Sequence, residues 1–285
     1  MIFQYQVDAF SGFVFQGNPA AVCPLDNWLD DSLMQSIAAE NNLAETAFFI
    51  KDGDNYSIRW FTPTTEVALC GHATLASAFV LFDQLGVESD QVVFDSKSGV
   101  LTVTRKGDLL EMDFPSEEPK MVAIPNQLEE ALGSTVVECA FNQDYVVVLE
   151  SEEAVIELVP NLTLLAEIEC RGVIVTAPSN SQENDFVCRF FGPRAGIDED
   201  SVTGSAFTKL VPFWSERLNK TFFKARQVSR RGGDVVCQLK GDRVMIAGEA
   251  VLFSKGEIRL SLLGVKRILL FLTQTQLVDL FVKLS

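Results

Sequence analysis

EVALCGHATL, residues 66–75, joins the only histidine of the chain to a helix that is apolar on every face. From Gly71 to Phe82 no residue other than His72 can carry a charge, which predicts a helix buried inside a domain. The first four N–H groups of a helix lack partners within it, and the helix dipole adds partial positive charge there. The stretch therefore predicts a buried anion site at Gly71, although Gly71 and His72 could equally form a plain turn into a core helix.

The overall composition excludes several classes of partner. The 285 residues carry 23 Lys and Arg against 39 Asp and Glu, which gives a net charge of −16. A field of this sign repels nucleic acid and anionic membranes. Hydrophobic residues make up 47% of the chain, enough for the core of one large domain or two ordinary ones. We expect no nucleic-acid or membrane partner, and a small anionic substrate would have to be attracted by a local device such as a helix N-terminus.

The cysteines and the two ends of the chain bear on compartment and cofactors. Six cysteines lie far apart without a Cys-x-x-Cys pair, and one histidine leaves too few soft ligands for zinc or haem. Residues 1–8 have no basic region before an apolar run, and the uncharged run at 268–278 is too short to span a bilayer. These features predict a reduced, metal-free, cytoplasmic protein.

An internal repeat decides the architecture. YSIRWFTP at 56–63 matches FVCRFFGP at 186–193 with an offset of 130. GHA at 71–73 matches GSA at 204–206 with an offset of 133, and residues 99–108 match 233–242 with an offset of 134. Matches in one order predict two similar halves. Each half would hold a proline-ended strand, a glycine-initiated helix and a β-hairpin with a Gly-Asp turn.

The two predicted central helices differ in their regularity. Gly86 is a natural C-terminal stop for the first helix. In the second, Lys209 and Pro212 interrupt the apolar pattern, and a proline that deep is expected to kink or delay the helix. Between the halves, the prolines and charges of residues 114–120 are typical of a linker.

LAETAFFI, residues 43–50, places a glutamate directly before an apolar, aromatic run. Glu45 would lie either at a solvent-facing strand end or in a desolvated position, and desolvation would raise its pKa. The residues alone leave both alternatives open.

Five motifs in a single order resemble the phenazine-biosynthesis isomerase-like (PhzF-like) family. They are GNPAAV at 17–22, NLAET at 42–46, FTP at 61–63 with Glu66, CGHAT at 70–74 and EDSVTGSA at 199–206. The resemblance implies the α+β fold of diaminopimelate epimerase, in which two pseudo-symmetric halves each wrap a mixed or antiparallel sheet around a central helix. We expect the first half at 1–116, completed by a C-terminal strand near 250–260, and the second at 117–260.

The resemblance also implies roles for single residues. Glu45 matches the general acid/base of the family, and Asp200 and His72 match polar residues that bind the substrate and assist proton movement. The backbone groups that would hold the substrate carboxylate belong to the two helix starts, at Gly71, Ala73, Gly204 and Ser205. The implied activity is that of a cofactor-independent isomerase, a homodimer that moves a hydrogen between carbons of a small carboxylate.

Cys70 leaves two alternatives open. Epimerases of this fold use one thiol before each central helix, and the matching position of the second half, at 203–205, holds no cysteine. We expect Cys70 to be a small buried residue, with a one-thiol epimerase that uses Cys70 and Glu45 as the alternative. A third hypothesis is a dimer that binds carboxylates without turnover.

The chain departs from the common family pattern at Ser201, Phe207 and Ala68, which puts the identity of the substrate in doubt rather than the type of reaction. It also continues through residues 261–285, beyond the usual end of the family. This extension could form an amphipathic helix or remain disordered.

Overall fold

A computed structural model describes residues 1–260 of the chain, and the extension at 261–285 lies outside the described residues. The described residues form eighteen strands and six α-helices. The strands are β1 (Ile2–Ala9), β2 (Asn18–Leu25), β3 (Glu45–Asp52), β4 (Asn55–Phe61), β5 (Glu66–Val67), β6 (Gln91–Ser96), β7 (Gly99–Lys106), β8 (Leu109–Pro115), β9 (Lys120–Met121), β10 (Glu138–Asn142), β11 (Asp144–Val148), β12 (Val173–Pro178), β13 (Phe186–Gly192), β14 (Ile197–Asp200), β15 (Phe222–Gln227), β16 (Gly233–Lys240), β17 (Arg243–Gly248) and β18 (Ala250–Ile258). The helices are α1 (Asp31–Asn41), α2 (Gly71–Phe79), α3 (Leu128–Leu132), α4 (Glu152–Ile156), α5 (Leu162–Glu167) and α6 (Gly204–Leu218).

The two halves repeat one strand topology. In the first half β2 is parallel to β3, β3 is antiparallel to β4, β4 is parallel to β6, and β6, β7 and β8 form an antiparallel meander. In the second half β11, β12, β13, β15, β16 and β17 repeat each of these pairings in the same order. The predicted α+β architecture of two pseudo-symmetric halves is confirmed.

Each half is extended by a strand that follows the hairpin of the other half. After β8 the chain crosses to β9, which pairs with β10 of the second half. After β17 it crosses to β18, which pairs antiparallel with β1 from Ile2 opposite Ile258 to Ala9 opposite Ala250. The chain therefore crosses between the halves twice, while the predicted boundary at residue 116 stays a prediction.

The halves join along β8 and β17, which are antiparallel neighbours. Their register places Met112 opposite Ile246, two residues that lie 134 positions apart, the same offset that relates the two hairpins. A residue thus faces its own counterpart, so the pseudo-two-fold axis passes through this pair. The turns of both hairpins contain a glycine with positive φ, 65° at Gly107 and 62° at Gly241, as the Gly-Asp pattern predicts.

The first central helix is enclosed by its half. Every residue of α2 from His72 to Ala78 is buried. The chain continues through one π-helical turn, Val80–Gln84, and then reaches Gly86 with a φ of 68°. The predicted stop at Gly86 is therefore where the helical segment ends.

The second central helix begins at Gly204 without the delay that was one of the two effects expected of Pro212, and α6 continues through the proline. Pro212 has no N–H to donate to the carbonyl of Thr208, four residues earlier. That carbonyl instead accepts a hydrogen bond of 3.0 Å from the backbone N–H of Glu117, which lies in the predicted linker. The linker supplies the donor that the proline lacks, so the helix continues without an unpaired buried carbonyl.

The hydrophobic core has three parts. The central part surrounds α2 and α6 and is shared by both halves. Helix α1 covers the outer face of the first sheet, and α3, α4 and α5 cover the outer face of the second. No helix within residues 1–260 is long and apolar enough to cross a membrane.

Phe10 supports the start of α6. Its side chain is fully buried, its φ is 62°, and its carbonyl accepts a hydrogen bond of 3.1 Å from the N–H of Asp234. A Cβ on Gly204 would lie 4.0 Å from the tip of the Phe10 ring. A Cβ on Gly248 would lie 2.5 Å from Cδ1 of the same ring and 3.2 Å from the Phe10 Cα. The position of Phe10 therefore depends on the absence of a side chain at Gly248.

We expect Gly248→Ala to lower the free energy of unfolding by about 1–3 kcal/mol, because the added methyl group would displace the buried Phe10. The matched control is Gly256→Ala in β18, where an added Cβ would meet no atom within 4 Å. The control should change the free energy of unfolding by no more than about 0.5 kcal/mol. Urea denaturation of both variants measures the difference, and equal stabilities would show that Phe10 is not held in this way.

Candidate functional site

The two central helices begin against each other. A Cβ on Gly71 would lie 3.8 Å from the Cα of Gly204, and a Cβ on Gly204 would lie 3.8 Å from the Cα of Gly71. Among the described residues, no acceptor takes a hydrogen bond from the backbone N–H groups of Gly71, His72, Gly204 or Ser205. Two positive helix ends with free donors thus converge between the halves, an arrangement that favours a bound anion.

Glu45, the first residue of β3, lies beside the start of α2. Its Oε2 is 3.2 Å from Nε2 of His72, and its side chain is 14% exposed. Burial and, to a smaller extent, the negative charge of Asp200 raise the pKa of Glu45 to about 7, while a hydrogen bond from Cys70 opposes the rise. Of the two environments that the sequence left open, Glu45 occupies the desolvated one.

His72 is a buried, neutral imidazole. Burial lowers its pKa to about 3. The Nδ2 of Asn18 lies 3.2 Å from Nδ1 of His72 and donates to a carboxylate oxygen of Asp200 at 2.7 Å and to the carbonyl of Val202 at 2.9 Å. Nε2 of His72 has no aligned hydrogen-bond partner among the described residues, although the Glu45 oxygen lies close to it. This buried nitrogen therefore lies beside Glu45 without an aligned hydrogen bond to the described part of the chain.

Asp200 approaches the same point from the second half, at the end of β14. Thr203 donates from Oγ1 to Oδ2 of Asp200 at 2.6 Å, and Asn18 donates to Oδ1. Burial raises the pKa of Asp200 to about 6, and these two hydrogen bonds limit the rise because they stabilise the ionised form. The fully buried Gln227 fixes the backbone here, since it donates to the carbonyl of Asp200 at 2.7 Å and accepts from the N–H of Thr203 at 2.9 Å.

Cys70 lies between the other polar groups of the first half. Its Sγ is 3.6 Å from Nδ1 of His72. Burial and then the charge of Glu45 raise the pKa of the Cys70 thiol well above its usual range, so the thiol is protonated at neutral pH. The counterpart of Cys70, 133 positions later, is Thr203, whose hydroxyl is already bonded to Asp200. All six cysteines are free thiols.

Three donors of different kinds meet at the start of α2. One ligand atom each from Glu45, Cys70 and His72 lies within 4.8 Å of the others, so this cluster could hold a metal ion. The sequence predicts no metal, because the cysteines form no Cys-x-x-Cys pair and a single histidine leaves too few soft ligands. A metal would need the Cys70 thiolate, and burial disfavours that form.

The fold brings the predicted site residues of both halves together at the two helix starts. The residues are Glu45, Cys70, Gly71, His72 and Ala73 from the first half and Asp200, Gly204 and Ser205 from the second. Sequence reasoning gave no role to Asn18 or Gln227. Asn18 had a signal, since a buried strand that opens with Asn-Pro carries a polar group into the core, whereas nothing local marks Gln227 as a site residue.

Known proteins that resemble this chain identify its family. The family model for phenazine biosynthesis-like proteins matches residues 7–256. An uncharacterized isomerase of Pseudomonas aeruginosa is 52% identical over 258 residues, which covers 90% of this chain and 98% of that protein. The crystal structure of a PhzF-family phenazine biosynthesis protein from Enterococcus faecalis has a TM-score of 0.89 and 48% identity, and the match covers 91% of this chain and 99% of that one.

A more distant likeness concerns the fold alone. A probable proline racemase from Agrobacterium radiobacter has a TM-score of 0.61 at 11% identity, over 92% of this chain and 94% of that one. The topology is thus shared with racemases, while the close relatives carry the name isomerase. The chain belongs to the phenazine biosynthesis-like (PhzF) family and is an enzyme of the isomerase or epimerase type.

Proposed function

We propose that this enzyme moves a hydrogen between carbons of a small carboxylate substrate, without a cofactor and with Glu45 as the general acid/base. The observation that carries the proposal is the buried Glu45 carboxyl group, whose pKa is raised to about 7. A group with a pKa near the working pH can both accept a proton from carbon and return it, which contributes about 10²- to 10⁴-fold to the rate.

The converging helix starts supply the binding site in this proposal. The free N–H groups of Gly71, Gly204 and Ser205, together with the neighbouring backbone of Ala73, would hold the substrate carboxylate. When a proton leaves the adjacent carbon, negative charge develops on that carboxylate as an enolate. Fixed donors aimed at the developing charge are worth roughly 3–4 kcal/mol each in comparable sites.

His72 and Asp200 would act as supporting groups. The unpartnered Nε2 of His72 lies beside Glu45, where a neutral imidazole can donate a hydrogen bond to the substrate or to the carboxylate. Asp200 contributes by its charge, since that charge helps to keep the pKa of Glu45 high. Dimerisation and a cytoplasmic location stay predictions from the family resemblance and the composition.

A one-thiol epimerase that uses Cys70 is the second candidate, and the observation in its favour is the position of the thiol. Cys70 Sγ lies next to His72 and hydrogen-bonds to Glu45. The thiol would have to lose its proton in the presence of Glu45, whose charge raises the pKa of Cys70 further. We therefore rank proton transfer by Glu45 first.

Glu45→Gln is expected to slow hydrogen exchange by at least about 10²-fold, because the amide cannot take up the proton. The measurement is deuterium incorporation from D₂O into a panel of cyclic and amino-acid-derived carboxylates, followed by NMR. Glu40→Gln, at an exposed position of α1, is the matched control and should exchange at the wild-type rate. Cys70→Ala should retain most of the exchange rate. If the rate were instead lost in Cys70→Ala and retained in Glu45→Gln, the thiol mechanism would be favoured.

The pH dependence of exchange should report the cleft carboxyl groups. The base form of Glu45 is lost as the pH falls, so kcat/KM for proton abstraction should rise with pH and level off above about 7. Asp200→Asn removes a negative charge that raises the pKa of Glu45, so the midpoint of the curve should move to lower pH. Rate–pH profiles of both proteins measure the two apparent pKa values. A midpoint that stays fixed or moves upward would contradict the role assigned to Asp200.

Glu45 should also make stability depend on pH. Its pKa is about 7 in the folded chain and 4.5 as the ordinary value, so the folded state holds an extra proton between these values. Stability is therefore lost as the pH rises from about 4.5 to 7, by an amount on the order of 3 kcal/mol. Glu45→Gln lacks this loss of stability. The free energy of unfolding of Glu45→Gln relative to wild type should therefore be larger at about pH 8 than at about pH 5, by an amount on the order of 3 kcal/mol. Urea denaturation at both pH values tests this, and an equal difference at each would contradict it.

A further inference from the structure

The position of Glu45 has a counterpart in the second half. The repeat places Phe190 of β13 at the position of Trp60 of β4, 130 residues earlier. Trp60 lies opposite the residue two places after Glu45, and Phe190 lies opposite the residue two places after Gly172. The second half therefore has a glycine where the first half carries its buried carboxyl group.

An aromatic ring and a cation occupy the space beside that glycine. A Cβ on Gly172 would lie 2.3 Å from Cζ of Phe190, so the ring fills the place of a side chain at residue 172. The guanidinium carbon of Arg171 lies 5.8 Å from the centre of this ring. Phe190 pairs across the strands with Asp200, and paired residues have Cβ atoms about 4.5–5.5 Å apart. Phe190 thus contacts Arg171 through its ring and pairs with Asp200 through its strand, so both residues belong to the surroundings of the position that corresponds to Glu45.

A buried ion cluster holds Arg171 in place. Nε and Nη2 of Arg171 contact both oxygens of Asp144, a carboxylate with no exposed surface. Nζ of the buried Lys209 lies 3.5 Å from the same carboxylate and pairs with Glu117. The same Nζ lies 3.5 Å from the carbonyl oxygen of Ser205, in the first turn of α6. The cluster thus connects Arg171 to the helix start that would hold the substrate carboxylate.

One edge of the Arg171 guanidinium has no partner within residues 1–260. Among the described residues Nη1 makes no hydrogen bond, and 41% of the side chain is exposed. A guanidinium has five N–H donors in a fixed plane, and the pairing with Asp144 sets the direction of that plane. The free edge is therefore preorganised for an anion. The charge of Arg171 also acts on Asp200. Burial raises the pKa of Asp200, and the charge of Arg171 is among the influences that lower it.

We propose that Arg171 binds a second carboxylate of the substrate, so that the natural substrate is a small dicarboxylate. The inference rests on the proposed function, in which the first carboxylate lies at the two helix starts. A second carboxylate on this side of the cleft would be repelled by Asp200 and Glu45 unless a cation faced it. The free edge of Arg171 supplies that cation, and an N–H donor on a guanidinium matches a carboxylate oxygen in charge and geometry.

The test compares ligands that differ by one charge. Succinate and butyrate have the same number of carbons, and their dissociation constants at about pH 7 are measured by calorimetric titration. Wild type should bind succinate about tenfold more tightly than butyrate, the effect of one charge-assisted hydrogen bond. Arg171→Gln should abolish this preference and leave butyrate binding unchanged. If Arg171 had only a structural role, Arg171→Gln would weaken the binding of both ligands equally or of neither.

Two further variants keep the test decisive if loss of the Arg171–Asp144 pair unfolds the chain. In Asp144→Asn/Arg171→Gln both charges of the pair are absent, so no unpaired buried charge remains. This double variant should also lose the preference for succinate. Arg171→Lys keeps a cation and should retain part of the preference. Arg105→Gln, which breaks the exposed pair with Asp83, is the matched control and should bind both ligands like wild type.

Each outcome separates this inference from the proposed function. If wild type binds butyrate and succinate equally, the role of Arg171 is wrong and the proposed proton transfer stands. If the preference survives in the folded Arg171→Gln or in the double variant, the role of Arg171 is likewise wrong. If wild type binds neither ligand, the carboxylate site at the helix starts is wrong, and the inference falls with it.

Discussion

The contact between the starts of α2 and α6 is the constraint on which the rest of the site depends. Each helix N-terminus carries roughly half a positive charge and several unpaired N–H groups. At Gly71 and Gly204 two such ends meet where a Cβ on one would lie 3.8 Å from the Cα of the other. Like partial charges at this distance repel each other, and the shared core around both helices keeps them together. Negative groups are stabilised at this point, and Glu45 and Asp200 both lie beside it.

Different surroundings give the two carboxyl groups different properties. Asp200 receives hydrogen bonds from Thr203 and Asn18 on its two oxygens, which favours its ionised form. Burial raises the pKa of both groups, and at Glu45 the nearby charge of Asp200 adds to the rise while only a hydrogen bond from Cys70 opposes it. When the surroundings push the pKa values of two neighbouring carboxyl groups apart, one fold can provide a proton-transferring group and a fixed charge in the same cleft. Under the proposed function, the group with fewer hydrogen bonds is the one that is free to transfer a proton.

The repeat, the hairpin turns and the first central helix were predictable from the sequence because each depends on local spacing. A period of 3.6 residues, a glycine at a turn and an offset between matching segments are all visible along the chain. The polar networks were not predictable because their members meet only in the fold. Asn18 reaches Asp200 across 182 positions, and Glu117 reaches Thr208 across 91. The continuation of α6 through Pro212 was not predictable for the same reason, since the donor that replaces the missing N–H comes from the predicted linker.

The loss of symmetry at the active cleft bears on the type of isomerisation. Inversion at one carbon needs a proton-transferring group on each face of the substrate, and a pseudo-symmetric fold can place such groups at equivalent positions. Here the position equivalent to Glu45 is Gly172, and the adjacent space is filled by Phe190. Asp200, the other acid of the cleft, has both oxygens engaged in hydrogen bonds. If Glu45 is the one base, as the proposed function has it, a proton taken from one face returns to that face. Under the proposed function this geometry favours movement of a hydrogen between two carbons over inversion at a single carbon.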